Sequence, residues 1–284
     1  MLRMEIALFL VLGFVAYSYF SAEKKFSQLH STFSMLLAVV LCHLVFDGIT
    51  VYTVNHLDTV PLFLNNTFHR LFIGTMILIF YLFYQYIAIL VEEETGKPRP
   101  LDGLARVYLV VAELGNMLLP IHYAITPQGN YSDGIHVTFC YLSVAFYFLL
   151  GTGLLLFNWK EIRKKEKTAI AIACTVELIV TTLQGINHTW LISGMGITLI
   201  TLAFYLILEN PDILRAELTE QKISMLSSWH GKRACSEYGQ NCSIIIRGSV
   251  QNDSQRNRLY LKNRLYPAVC PDAWKAGGAS GLFS

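Results

Sequence analysis

Charge is scarce in this sequence. Of its 284 residues only 15% are Asp, Glu, Lys or Arg, while 54% are hydrophobic; soluble domains carry about 25% charged residues. Together with a mean hydropathy of +0.44, that balance argues against a soluble fold. Long polar segments are missing up to Asn210. The apolar residues gather instead into blocks long enough to span about 30 Å of hydrocarbon, so length here counts helices rather than domains. Signatures of chemistry are absent too. None of the six cysteines stands in a CxxC or zinc-type spacing. There is no HExxH helix, no Gly-rich phosphate loop, and no Ser/His pair or paired-Asp motif in a recognisable frame. The expectation is a chain with no catalytic residue, no metal and no cofactor. Its net charge of +2 does not imply nucleic acid as a partner.

What is present is a series of seven apolar runs: Ile6 to Phe20, Thr32 to Val54, Phe68 to Val91, Leu104 to Ile125, Ile135 to Phe157, Thr168 to Ile186 and Trp190 to Leu208. The first is short enough for a signal peptide, but Tyr17, Ser18, Tyr19 and Phe20 give no small-x-small cleavage pattern. It reads as a retained helix. Lys24 and Lys25 follow the first run, Lys97 and Arg99 the third, and Lys160, Arg163, Lys164, Lys165 and Lys167 the fifth. Because Lys and Arg resist translocation, these loops belong in the cytoplasm. The alternate loops, around 55–67, 126–134 and 187–189, have neither residue and face outward. The expected architecture is all-α: a seven-helix transmembrane bundle over 1–209, N-terminus outside and C-terminus in the cytoplasm, in the plasma membrane. The lipid bilayer is then its first partner.

Ionisable groups at membrane depth cost roughly 2.5 to 3.5 kcal/mol on insertion scales, so each invites a functional question. Asp47, His69, Arg70, His122, Gln184 and His188 fall in the outer halves of the runs, with His43, Glu113, Asn116 and Glu177 nearer the middle. Each taken alone is explained by polar helix-to-helix contacts. Their shared bias toward the outer leaflet instead suggests a pocket for a small ligand, bounded by Asp47, Arg70, Glu113, His122, Glu177, Gln184 and His188. Arg70 needs a carboxylate, and Asp47 is the expected partner. His43 and Asp47 lie four apart on one helical face and are of ligand type, but nothing fixes a metal geometry around them.

Beyond the seventh run the chain reads Leu208-Glu209-Asn210-Pro211-Asp212. Asn210 suits an N-cap, Pro211 a first helical position and Asp212 the helix dipole. A cytoplasmic helix is expected over 210–226, in which Leu214, Leu218, Gln221 and Met225 share a heptad face. That face would pair two copies as a parallel dimer, or lie on the membrane surface. Seven short-looped helices leading through Glu209 to Asp212 into such a helix resemble the N-terminal seven-transmembrane sensor region of bacterial histidine kinases and diguanylate cyclases, over Met1 to about Leu226. The resemblance implies a sensory input module whose exit helix drives a catalytic output domain. That domain is expected to be missing: neither a His-Glu-x-x-x-Pro setting nor a Gly-Gly-Asp/Glu-Glu-Phe turn follows. Residues 227–284 are aperiodic and carry Cys235, Cys242 and Cys270, as in a frameshifted or truncated gene product or a short disordered regulatory tail.

Two rival functions remain open. Sequons at Asn65, Asn130 and Asn187 fall on outward loops, as in a eukaryotic seven-helix receptor, but the chain lacks Asp/Glu-Arg-Tyr at an inner helix end. A small-solute transporter would be expected to show an internal repeat, and none is visible. Gly151, Gly153, Gly194 and Gly196 sit near helix middles, where close packing accounts for them.

Overall fold

The computed structural model describes residues 2–21, 27–99, 101–127, 129–186, 192–210 and 219. Among them are seven α-helices: α1 (Leu2–Ser21), α2 (Gln28–Val54), α3 (Leu62–Thr95), α4 (Asp102–Leu118), α5 (Ile135–Phe157), α6 (Lys164–Ile186) and α7 (Ser193–Phe204). A π-helical turn, Tyr205–Glu209, extends α7, and a short hairpin of β1 (His122–Ala124) and β2 (Tyr131–Asp133) joins α4 to α5. The signalling helix with its dimer face Leu214, Leu218, Gln221 and Met225, and the tail over 227–284, lie outside the described residues apart from the helical Thr219.

Helices α1, α2, α3 and α5 are long and apolar enough to cross a membrane. Their surfaces fit that medium: Phe14, Phe63, Leu149 and Phe157 all face outward from the bundle, an apolar coat that water would not tolerate. At 34 residues, α3 measures roughly 50 Å at 1.5 Å per residue and overruns a 30 Å hydrocarbon layer. It is the hub, packing on α2, α4 and α5, while α1, α2 and α7 contact one another and α6 leans on α7.

Local chemistry sets the helix ends. Ser27 caps α2 by accepting from His30 N–H at 3.1 Å, an interaction worth about 1 kcal/mol. Gly96 ends α3 in the left-handed conformation, φ 67°, where a side chain would be strained. The fourth apolar run does not continue as helix to Ile125. Pro120 has no N–H to give the carbonyl of Asn116, so α4 stops at Leu118. The chain then turns into the hairpin, with His122 opposite Asp133 and Tyr123 opposite Ser132. This corrects the placement of His122: it stands on a surface strand rather than inside a helix.

The two ends of the bundle differ in chemistry. At one end, Asn130 donates to the carbonyl of Val54 at 3.0 Å and Tyr123 donates to Asn66 at 2.8 Å, pinning the hairpin to α2 and α3. At the other, Lys97 meets Glu161 at 2.8 Å, Arg99 meets Glu92 at 2.8 Å and Arg163 meets Glu94 at 2.9 Å. Arg163 also pairs with Glu166, whose carboxyl burial pushes above its ordinary value while Arg163 opposes the shift. The one pair among these with both partners exposed, Lys97–Glu161, adds little stability. Together the pairs gather every Lys-rich and Arg-rich turn among the described residues at one end.

Candidate functional site

At the hairpin end, polar groups of α3, α4 and α5 form one network centred on Asn116, which is fully buried. Its amide donates to the carbonyl of Arg70 at 3.0 Å, and its Oδ1 meets His136 Nε2 at 2.9 Å. Glu113 Oε2 lies 3.4 Å from the same amide. Gly74 lets these groups reach α3, since a methyl there would stand 2.9 Å from Glu113 Oε2.

Arg70 does not pair with Asp47. Its guanidinium donates to the carbonyls of Asn116 and, at 2.9 Å, Leu119, and no salt bridge joins it to any described carboxylate. The physical reason is Pro120. The α4 terminus is left with orphaned carbonyls and the negative end of the helix dipole, and the planar fork of an arginine satisfies both. Beside this network His69 and His136 are buried with ring centroids 5.7 Å apart. His69 also faces Tyr123 of the hairpin, at 5.9 Å. Both nitrogens of His69 and Nδ1 of His136 have no hydrogen-bond partner.

Asp47 lies on another side of the bundle, buried at 3% exposure. No hydrogen bond or ion pair ties its carboxylate to another described residue. Its Oδ2 presses on α7, where a methyl on Gly194 would come within 2.6 Å, and it is near enough to Glu5 of α1 for their charges to interact. Glu177 occupies a third place. It accepts from Thr181 at 3.2 Å and lines a cavity of about 40 Å³ with Tyr84, Tyr147 and Cys174, room for a water rather than for an organic ligand. Gln184 is half-buried near the end of α6, and His188 lies outside the described residues. Of the seven candidates the structure therefore brings Arg70 and Glu113 together through Asn116, with Asp47, Glu177 and the surface His122 elsewhere.

A further polar centre sits at the basic end, where α7 leaves the bundle. Glu209, 2% exposed, accepts from Tyr86 of α3 at 2.8 Å, and its other oxygen lies 2.5 Å from Nδ1 of His30 on α2. Tyr19 of α1 donates to the carbonyl of His30 at 3.0 Å, and Ser18 meets the hydroxyl of Tyr205 at 2.8 Å. Three helices, α1, α2 and α3, thus converge on the π-turn that ends α7. Such turns are rare and concentrate at functional positions. Asn210 follows in an extended conformation, φ −64° and ψ 117°, as the residue before a proline prefers.

The sequence singles out Glu209, Asn116 and the Asn116 partners Arg70 and Glu113, but not His136, Tyr86 or His30. His136 sits in the first turn of its run and carried the same signal of an ionisable group at membrane depth. His30 and Glu5 stand just outside the apolar runs and so carry no signal of membrane depth. No group of three or more potential metal-ligating side chains occurs among the described residues. Compared with protein-family models and with curated proteins, the chain matches none.

Proposed function

We propose that this chain is the membrane-embedded sensory input of a bacterial signal-transduction protein. In this reading its helices cross the plasma membrane seven times, with the N-terminus outside and the C-terminus in the cytoplasm. A small ligand is recognised from the outer, hairpin side, and the chain itself catalyses nothing. The observation that carries the reading is the burial of Glu209. The segment Glu209 to Asp212 links the bundle to whatever follows, and its first residue is bonded into α2 and α3 rather than left at the surface. A ligand with different affinities for two packings of the bundle would shift α7, and the bonds of Glu209 would change with it. Loop charge supports the orientation, because the basic turns cluster opposite the hairpin.

A fusion of residues 1–226 to a histidine-kinase output domain, reconstituted in vesicles, tests this. Glu209→Gln and His30→Ala should each change kinase output while insertion stays normal. Unchanged output in both variants would remove the reading, and ligand-independent uptake of a labelled solute would replace it with transport.

A further inference from the structure

A groove of about 440 Å³ runs between α1 and α2, lined by Glu5, Phe9, Leu10, Leu44, Ile49 and Tyr52 among others. Its walls are almost wholly apolar, yet Glu5 is only 3% exposed and both of its carboxylate oxygens lack a hydrogen-bond partner. Asp47, next to the lining residue Gly48 on α2 and just outside the groove wall itself, adds a second buried carboxylate with no cationic partner among the described residues. The hydroxyl of Thr50, one turn further on the same helix, is buried and unpartnered as well. Buried carboxylates are ordinarily paired, because an unpaired one forfeits its hydration.

We propose that this groove binds an organic cation with an apolar body, an alkylated or aralkyl ammonium ion, whose charge is held by Glu5 and Asp47. The volume falls in the range of small-molecule sites, roughly 300 to 1,000 Å³, and far exceeds a metal ion. The walls also offer too few oxygens for a hard cation, which takes about six to eight. Phe9 and Tyr52 present aromatic rings, which attract ammonium groups through their faces. A purely apolar occupant such as an acyl chain would fill the space and leave both carboxylates unmatched. The assignment rests on the sensory reading and deepens it: Asp47 presses on Gly194 in the first turn of α7, and Glu209 ends the same helical segment. A cation drawing Asp47 toward α1 relieves that contact and frees α7 to move.

The test uses the full chain in nanodiscs of phosphatidylglycerol, a lipid whose headgroup has no ammonium, and tritiated benzyltrimethylammonium, with empty discs as background. Saturable binding is expected, not displaced by the neutral isostere neopentylbenzene. Glu5→Gln and Asp47→Asn should each weaken it at least tenfold, and Glu161→Gln, at the basic end, should leave it unchanged. Gly48→Leu, which fills the groove and keeps both carboxylates, should abolish it, so the proposal does not depend on how the charge variants fold. Displacement by the isostere, or binding untouched by Glu5→Gln, Asp47→Asn and Gly48→Leu, overturns it. Repeating the measurement in phosphatidylcholine discs separates two sources of the same chemistry. Competition there assigns the lipid headgroup, and its absence a free solute. Hydrogen exchange at 205–209 keeps the two ideas apart: binding that leaves this exchange unchanged retains the site and removes the sensory reading.

Discussion

Nδ1 of His30 and Oε2 of Glu209 lie 2.5 Å apart across 179 residues of sequence, joining the first turn of α2 to the last residue of the α7 segment. Tyr86 donates to the other oxygen, so each carboxylate oxygen has its own partner. Hydrogen bonds to a charged group contribute about 1.5 to 3 kcal/mol each. Tyr86→Phe should therefore lower stability by that order, seen as an earlier thermal unfolding in detergent. Glu209→Ala should cost more, because it removes both bonds at once. Equal and negligible effects of the two variants would mean that the three groups do not act as one centre.

Arg70 and Pro120 make a reciprocal prediction. Removing the guanidinium in Arg70→Met orphans the carbonyl of Leu119 and leaves that of Asn116 only its 3.3 Å contact with His136 Nε2, at a cost of about 1 to 3 kcal/mol for an orphaned group. Arg70→Lys should rescue little, since a point charge cannot fork across two carbonyls. Pro120→Ala restores an N–H able to reach Asn116 along the helix, so the double variant Arg70→Met, Pro120→Ala should be more stable than the sum of the singles allows. Strict additivity in unfolding measurements would show that Arg70 does not serve the α4 terminus.

The glycines separate by what surrounds them. A methyl on Gly115 would meet the Phe139 ring at 2.4 Å, whereas one on Gly153 meets nothing within 4 Å. Gly115→Ala should destabilise by about 1 to 3 kcal/mol through overpacking of α4 against α5. Gly153→Ala should instead stabilise by up to about 1 kcal/mol, as expected for an open helical site. Thermal melts of the two single variants decide it, and a shift of the same sign in both would contradict the packing.

Much of this architecture was legible in the sequence, for definite reasons. Apolar runs located the seven α-helices found among the described residues, and for α5 the run and the helix coincide, because Gly134 and Asn158 bound an uninterrupted apolar block. The fourth run failed since hydropathy does not register that Pro120 removes a donor, and the apolar residues Leu118 to Ile125 therefore read as continuous helix. Polar residues at depth single out Asp47, Arg70 and Glu113, but depth alone says nothing about which way a residue faces around its helix. That is why Arg70 turned to α4 and Asp47 to α1 and α7. Glu5 and His30 precede the runs and so carry no hydropathy signal, although neighbouring helices bury Glu5 and half-bury His30.

Orientation is open to a direct check. Reporter fusions after Lys97 and within the Lys160 to Lys167 turn should report the cytoplasm, and fusions in the hairpin loop near Asn130 the outside, because the basic turns share one end of the bundle. A cytoplasmic hairpin together with external basic turns would invert the proposed topology. Lys222, the corresponding position in the expected exit helix, should report the cytoplasm as well.

The last prediction concerns how the two ends of α7 communicate. Gly194→Ala would place a methyl 2.6 Å from Asp47 Oδ2 and 3.3 Å from Leu44 Cδ2, and an aspartate has too short a side chain to swing far aside. Helix α7 must then move away from α2. In Gly196→Ala the methyl meets Val180 of α6 at 3.0 Å, so the same helix is pressed from a different side. If α7 moves as a rigid element, Gly194→Ala should loosen the contact of Glu209 with His30 and Tyr86. Faster hydrogen exchange at 205–209 should follow, with a stability loss of about 1 to 3 kcal/mol from overpacking. Adding Asp47→Ala removes the obstructing oxygen and should restore the slow exchange, a non-additivity that identifies direct contact as the cause. Gly196→Ala pushes toward α2 and should leave exchange at 205–209 close to that of the parent. Equal exchange in both glycine variants, or no recovery in the double variant, would show that the Asp47 contact and the Glu209 centre are independent parts of the bundle.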